Sequence, residues 1–302
     1  MNRRLACLMV ALLPFGVAAA PARAAERVKV TASFSILGDM VHQVGGDRVE
    51  VTALVGPNGD AHVYEPTPTD AKGLAASKLL VLNGLGLEGW ITRLEKASGF
   101  KGQTVIASKG IKPQQMEDDE HGHKMVTDPH AWQNLANGRI YAQNIRDGLI
   151  KADPDGKATY EANAAKFIAA IDALEPEVRR EIGRIPEGHR KMITTHDAFG
   201  YFGTAYGMAF VAPEGISTDS EATAQEVAKI IRQIRAEKIP AVFVENITDK
   251  RLLEQISRET GAKIGGTLYS DALSPPDGPA GTYLDMFRSN VKTIVAALAP
   301  AS

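Results

Sequence analysis

One cysteine in 302 residues is the first constraint this sequence imposes. That residue, Cys7, lies in an N-terminal stretch that reads as an export signal, so the exported chain carries no thiol. Disulfide staples, cysteine nucleophiles and thiolate metal sites are thereby excluded, and a metal site has to be built from histidines and carboxylates. A charge excess is also missing. The 34 Lys+Arg face 36 Asp+Glu, for a formal charge of −2, which leaves no basic surplus for gripping nucleic acid. Hydrophobic residues at 44% and charged residues at 23% are ordinary globular composition, which rules out a disordered chain or a membrane bundle. At this length two domains are expected.

Residues 1–24 read as a cleaved signal peptide. Arg3 and Arg4 precede an apolar run over 5–20, and Ala22-Arg23-Ala24 fits a small-x-small cleavage site. The run is broken by Pro14 and is short for a membrane span. Cys7 precedes most of it, the wrong place for a lipid-anchor cysteine. Cleavage after Ala24 removes three arginines and no acid, which takes the formal charge from −2 to −5.

From residue 28 onward, short β-type runs alternate with helical patterns. Strands are predicted over 28–33, 49–55, 79–82 and 104–107, with helices over 36–44, after Thr69 (a candidate N-cap) and over 88–97. A second cycle places strands at 191–195, 208–211, 241–245 and 263–268. Its helices start near Phe199, Glu221 and Arg251, with a last one over 283–298. Such alternation predicts parallel sheets covered on both faces by helices. Between the cycles, Tyr160, Ala164, Phe167, Ile171, Leu174 and Val178 recur at helical spacing within 153–184. That spacing predicts a single-faced helix of roughly 40 Å. The expected fold class is therefore α/β, with two lobes of mainly parallel sheet flanked by helices and joined by one long rigid helix. The expected division is a first lobe over 25–150, the connecting helix over 151–186 and a second lobe over 187–302.

The seven histidines separate into two groups. His42 and His189 read as solvated surface residues. His121 and His123 fall in the acidic segment 117–124, which reads as a solvated loop able to gather a divalent cation weakly. His62, His130 and His196 instead follow strands or precede helices. Ligands of open α/β sheets bind at the carboxyl ends of the strands, so these three should converge on one cleft. Asp271, at the end of the last predicted strand, is the fourth candidate.

Several segments carry a resemblance. They are Asp60-Ala61-His62-Val63-Tyr64-Glu65-Pro66, Asp128-Pro129-His130-Ala131-Trp132, Thr194-Thr195-His196-Asp197-Ala198-Phe199, Val244-Glu245, Gly266-Thr267-Leu268-Tyr269-Ser270-Asp271 and Thr282-Tyr283-Leu284-Asp285. In this order the chain resembles the periplasmic metal-binding proteins of zinc/manganese ABC transporters, the cluster A-I or cluster 9 solute-binding family. The resemblance implies one metal ion between two lobes, held by His62, His130, His196 and Asp271. It also implies delivery to an inner-membrane ABC permease driven by a cytoplasmic ATPase, from a location in the periplasm. A periplasmic metallochaperone is a further candidate partner, nucleic acid is not, and a monomer is expected.

Three imidazoles and one carboxylate suit Zn²⁺ as the transported ion; the alternative is Mn²⁺, or mixed Mn/Zn/Fe use, which Asp271 binding through both oxygens would favour. Asp60, Glu65, Asp128 and Asp197 are candidates to orient the imidazoles. Trp132 and Phe199 read as packing beside the site, and Glu221 and Glu245 either as cleft or docking residues or, more ordinarily, as solvated carboxylates. Metal affinity should fall as pH drops through about 6.5, the ordinary histidine value. Two other readings are a secreted zinc hydrolase and a binder of metal chelates. The first lacks a His-Glu-x-x-His helix and an independent general base. The second would need a wider cleft lined by aromatic or basic groups. No catalysis is expected.

Overall fold

The computed structural model describes residues 26–118 and 124–300. The segment read as a signal peptide, His121 and His123 lie outside them. Among the described residues no helix is long and apolar enough to cross a membrane.

The first sheet is parallel throughout, with strand order β2-β1-β3-β4, from β1 (Val28–Phe34), β2 (Val49–Val55), β3 (Leu79–Leu82) and β4 (Gln103–Ile106). β1 is central, and from Val30 to Phe34 every residue is buried. Such a strand reads as a continuous apolar run because helices cover both of its faces. Those helices include α1 (Ser35–Gly45), α2 (Pro68–Ala75), α3 (Ile91–Ser98) and α4 (Leu135–Ala152). The capping residue of α2 is Thr67, not Thr69. Its hydroxyl accepts from the Asp70 N–H while the Asp70 carboxylate accepts from the Thr67 N–H, and Pro68 fits the first helical turn.

The helix expected over 88–97 begins at Ile91, because Glu88 has a different task. It is buried, and its carboxylate accepts from Ser33 Oγ and from the N–H groups of Asn83 and Gly84. An unforeseen antiparallel hairpin, β5 (Gln115–Asp118) with β6 (Lys124–Thr127), brackets part of the segment read as a solvated loop.

The connecting helix α5 (Lys157–Ile182) has 26 residues, about 39 Å at 1.5 Å per residue. The spacing read from sequence is its buried face, from Tyr160 to Val178 and on to Ile182. Its start falls later than expected, since Pro154–Gly156 forms a 3₁₀ turn in which Asp153 Oδ2 accepts from Arg48 and from the Tyr160 hydroxyl. α5 packs on α1, α4 and the last helix, α9 (Tyr283–Leu298), so it is core as well as connector.

The second sheet, also parallel, has the order β10-β9-β7-β8, from β7 (Lys191–Ile193), β8 (Ala209–Val211), β9 (Ala241–Glu245) and β10 (Lys263–Leu268). α6 (Gly200–Tyr206), α7 (Ala224–Glu237) and α8 (Arg251–Thr260) accompany it. α7 starts after Thr223, whose hydroxyl and the Glu226 carboxylate form a second reciprocal cap; Glu221 lies outside the helix and is exposed. One apolar core runs from the first sheet through α5 and α9 to Phe243 and Leu268. A separate one, with Ile193, Ile230, Ile234, Val242 and Leu253, joins the second sheet to α7 and α8.

Candidate metal centre

The loops at the carboxyl ends of both parallel sheets, and the one that leaves the β5–β6 hairpin, meet at one point. His62 follows β2, His130 follows β6, His196 follows β7 and Asp271 follows β10. One ligating atom from each lies within 4.8 Å of the others. Asp271 Oδ2 is 3.0 Å from His62 Nε2, 3.2 Å from His196 Nε2 and 3.6 Å from His130 Nε2. His62 Nε2 is 3.2 Å from His130 Nε2. A tetrahedron with metal–nitrogen bonds of about 2.0–2.1 Å has edges of about 3.3–3.4 Å. These four of the six separations bracket that edge.

Two of the imidazoles are oriented by carboxylates. Asp128 Oδ1 accepts from the His130 N–H at 2.9 Å and faces His130 Nδ1 at 2.8 Å. Glu245 does the same work in the second lobe. Its Oε1 accepts from the N–H groups of Thr195 and His196, both at 2.9 Å, and its Oε2 stands 2.7 Å from His196 Nδ1. Each pairing directs Nδ1 to the acid and leaves Nε2 facing the centre. Glu245 is buried, which favours its reading as a cleft residue and corrects the one as a solvated carboxylate. The available signal was its place at the carboxyl end of an apolar strand.

The Asp271 turn is held from the first lobe. Trp132 Nε1 and Gln133 Nε2 both donate to Ser270 O, at 2.9 and 2.7 Å, and Leu273 N donates to Ser35 Oγ at 3.0 Å. Trp132 and Phe199 are buried beside the site, as expected. Of the other carboxylates considered, Asp60 accepts from the His62 backbone N–H at 2.9 Å, and Glu65 is exposed. Asp197 contacts none of the rings by hydrogen bond, and burial lifts its carboxyl to about 7. His42 and His189 are exposed.

Without a metal the charges compensate one another. Burial works against the His130 imidazolium, but Asp271 and Asp128 outweigh it and lift the group to about 9. His196 is raised well above its ordinary range, where burial is overcome by Glu245 and Asp271. Burial raises Asp271, but the neighbouring His130 and His196 hold it well below the usual carboxylate range. Asp271 Oδ1 and Asp128 Oδ2 are among the buried polar atoms at the site that make no hydrogen bond, and the His196 Nδ1–Glu245 Oε2 approach is a close charge contact rather than an aligned hydrogen bond. A carboxylate oxygen left bare in a closed pocket is costly unless a cation completes it.

The family model for ZnuA, the periplasmic component A of a zinc-uptake complex, matches residues 30–297. The chain belongs to this family. A manganese-binding lipoprotein, MntA of Halalkalibacterium halodurans, is 34% identical over 274 residues, covering 90% of this chain and 89% of that protein. The iron-binding protein YfeA of Yersinia pestis is 33% identical over 274 residues, covering 91% and 87%. Among solved structures, the periplasmic zinc-binding protein TroA of Treponema pallidum superposes with a TM-score of 0.84 at 30% identity, covering 90% of this chain and 99% of that one. Membership makes the chain a substrate-binding protein of a metal ABC importer, a class that works outside the cytoplasm with a membrane permease and an ATPase. These relatives are named for manganese, iron and zinc, so membership leaves the metal open.

Proposed function

We propose that the protein captures one divalent transition-metal ion with His62, His130, His196 and Asp271 and carries it through the periplasm to its importer. The observation that supports this is the set of four ligand atoms within 4.8 Å of one another, four of their six separations near a tetrahedral edge and three of their side chains fully buried. The ion is cargo, and no reaction is assigned to it. A hydrolytic zinc needs an open position for water. In this reading Asp271 is the fourth ligand and takes that position.

Three nitrogens and one oxygen favour Zn²⁺ over Fe²⁺ and Mn²⁺ in affinity, so zinc is the proposed tightest ligand. One observation supports manganese or iron as the physiological cargo. Asp271 Oδ1 is buried without a partner and can serve as a further donor, raising the coordination number toward what those ions accept. Export with cleavage after Ala24, action as a monomer and loading by a periplasmic metallochaperone belong to the same reading.

The test is a chelator-competition titration of residues 25–302, stripped of metal, with Zn²⁺ and Mn²⁺ in parallel. One tight equivalent of Zn²⁺ and weaker Mn²⁺ is expected. Comparable affinities would move the reading to manganese or mixed uptake, and no tight site for either ion would overturn it.

A further inference from the structure

The four proposed ligands are held unequally. Nδ1 of His130 and of His196 each meets a buried carboxylate, and Asp271 is fixed through Ser270. His62 Nδ1 has no hydrogen-bond partner among the described residues. Its side chain is also the one among the four that reaches solvent, at 5% against 0% for the others. Exchange with solvent is therefore easiest on the His62 side.

His62 is placed through its backbone. Trp90 Nε1 donates to Ala61 O at 2.8 Å, which anchors the loop in the first lobe, and Asp60 Oδ1 accepts the His62 N–H. The other Asp60 oxygen accepts from the hydroxyl of Thr218, which belongs to the second lobe. Thr218 sits midway along residues 212–223, the connection between β8 and α7, which forms neither helix nor strand. The start of this connection is tied to the His196 turn by Glu214 N to Thr195 O and by Asp197 N to Gly215 O. Its end is fixed by the Thr223 cap. Over 216–222, Thr218 to Asp60 is the one hydrogen bond to the first lobe among the described residues. The other crossings from the His62 loop, Asn58 N to Leu273 O and Asn246 Nδ2 to Asn58 Oδ1, lead to the Asp271 and β9 turns instead.

We infer that residues 216–222 form a strap across the solvent side of the site, and that Thr218 is the positioning residue that latches it to the His62 loop. This rests on the metal reading above. A hydroxyl donating to a carboxylate is among the stronger hydrogen bonds available to a half-buried side chain. Breaking it lifts the strap while Trp90 keeps Ala61 in place, so the opening uncovers His62 without dismantling the rest of the site. Bound metal then leaves, and enters, past Thr218.

The test is stopped-flow release of Zn²⁺ into excess chelator from the loaded mature chain, its Thr218→Val variant and its Thr218→Ser variant. Valine keeps the shape and removes the hydroxyl, whereas serine keeps the hydroxyl. Release roughly tenfold faster from Thr218→Val is expected, the size of effect for one hydrogen bond to a charged acceptor. Thr218→Ser should stay within about threefold of the parent. Parent-like release from Thr218→Val, or equally fast release from both variants, would overturn the latch. A parent that retains no Zn²⁺ would instead sink the metal reading itself.

Discussion

Oε2 of Glu245 stands 2.7 Å from Nδ1 of His196, with both side chains completely buried. The same carboxylate anchors the His196 backbone, so one residue sets the position, ring orientation and tautomer of a proposed ligand. Glu245→Gln keeps the shape and an acceptor for the two N–H groups but removes the charge. Zn²⁺ affinity should fall about 10- to 100-fold, read by chelator competition. An affinity within twofold of the parent would show that Glu245 does not tune His196.

Gly200 opens α6 directly against the partner of the other buried imidazole. A Cβ there would sit 2.6 Å from Asp128 Oδ2, too close for both groups to stay in place. Alanine is otherwise favoured in a helix, so Gly200→Ala isolates the effect of displacing Asp128. The expected outcome is a folded protein, by circular dichroism, whose metal affinity is lower by about tenfold or more. Unchanged affinity would mean that Asp128 can shift without disturbing His130.

Protons compete with the metal over a higher pH range than free histidine would give. Because His130 is lifted to about 9, the metal-free site holds a proton there at neutral pH, and loading must expel it. Affinity should keep rising between pH 6.5 and 9, by roughly tenfold per unit for each proton released. This moves the expected midpoint up from the ordinary value of 6.5. The metal-free fold should respond in the opposite sense. A raised histidine contributes stability that is complete below its unfolded value of about 6.5 and is lost as pH rises through about 9. Melting temperatures of the metal-free protein should therefore decline across that window, and those of the loaded protein much less. Flat affinity from pH 6 to 9 would contradict a site built on His130.

Local chemistry explains what was legible in the sequence. The buried face of α5 could be read because six apolar residues repeat at helical spacing. His62, His196 and Asp271 could be read because α/β sheets gather their loops at strand carboxyl ends, whereas His130 reaches the same point from the end of the β5–β6 hairpin. The capping box Thr67–Asp70 was present in the sequence as Thr-Pro-Thr-Asp, and the choice of Thr69 missed the reciprocal partner three residues on. Glu245 was not legible in the same way. A lone glutamate at a strand end is ordinarily solvated, and only the adjacency of β7 and β9 brings it under His196. The grip of Trp132 and Gln133 on Ser270 spans 138 and 137 residues, a separation no local pattern encodes.

The proposed ligand set is tested most directly by anomalous diffraction at the zinc edge from crystals of the metal-loaded mature chain. We expect a single strong peak within about 2.0–2.2 Å of Nε2 of His62, His130 and His196 and of an oxygen of Asp271. A peak elsewhere in the protein, or one at this site that leaves any of the three histidines uncoordinated, would contradict the assignment.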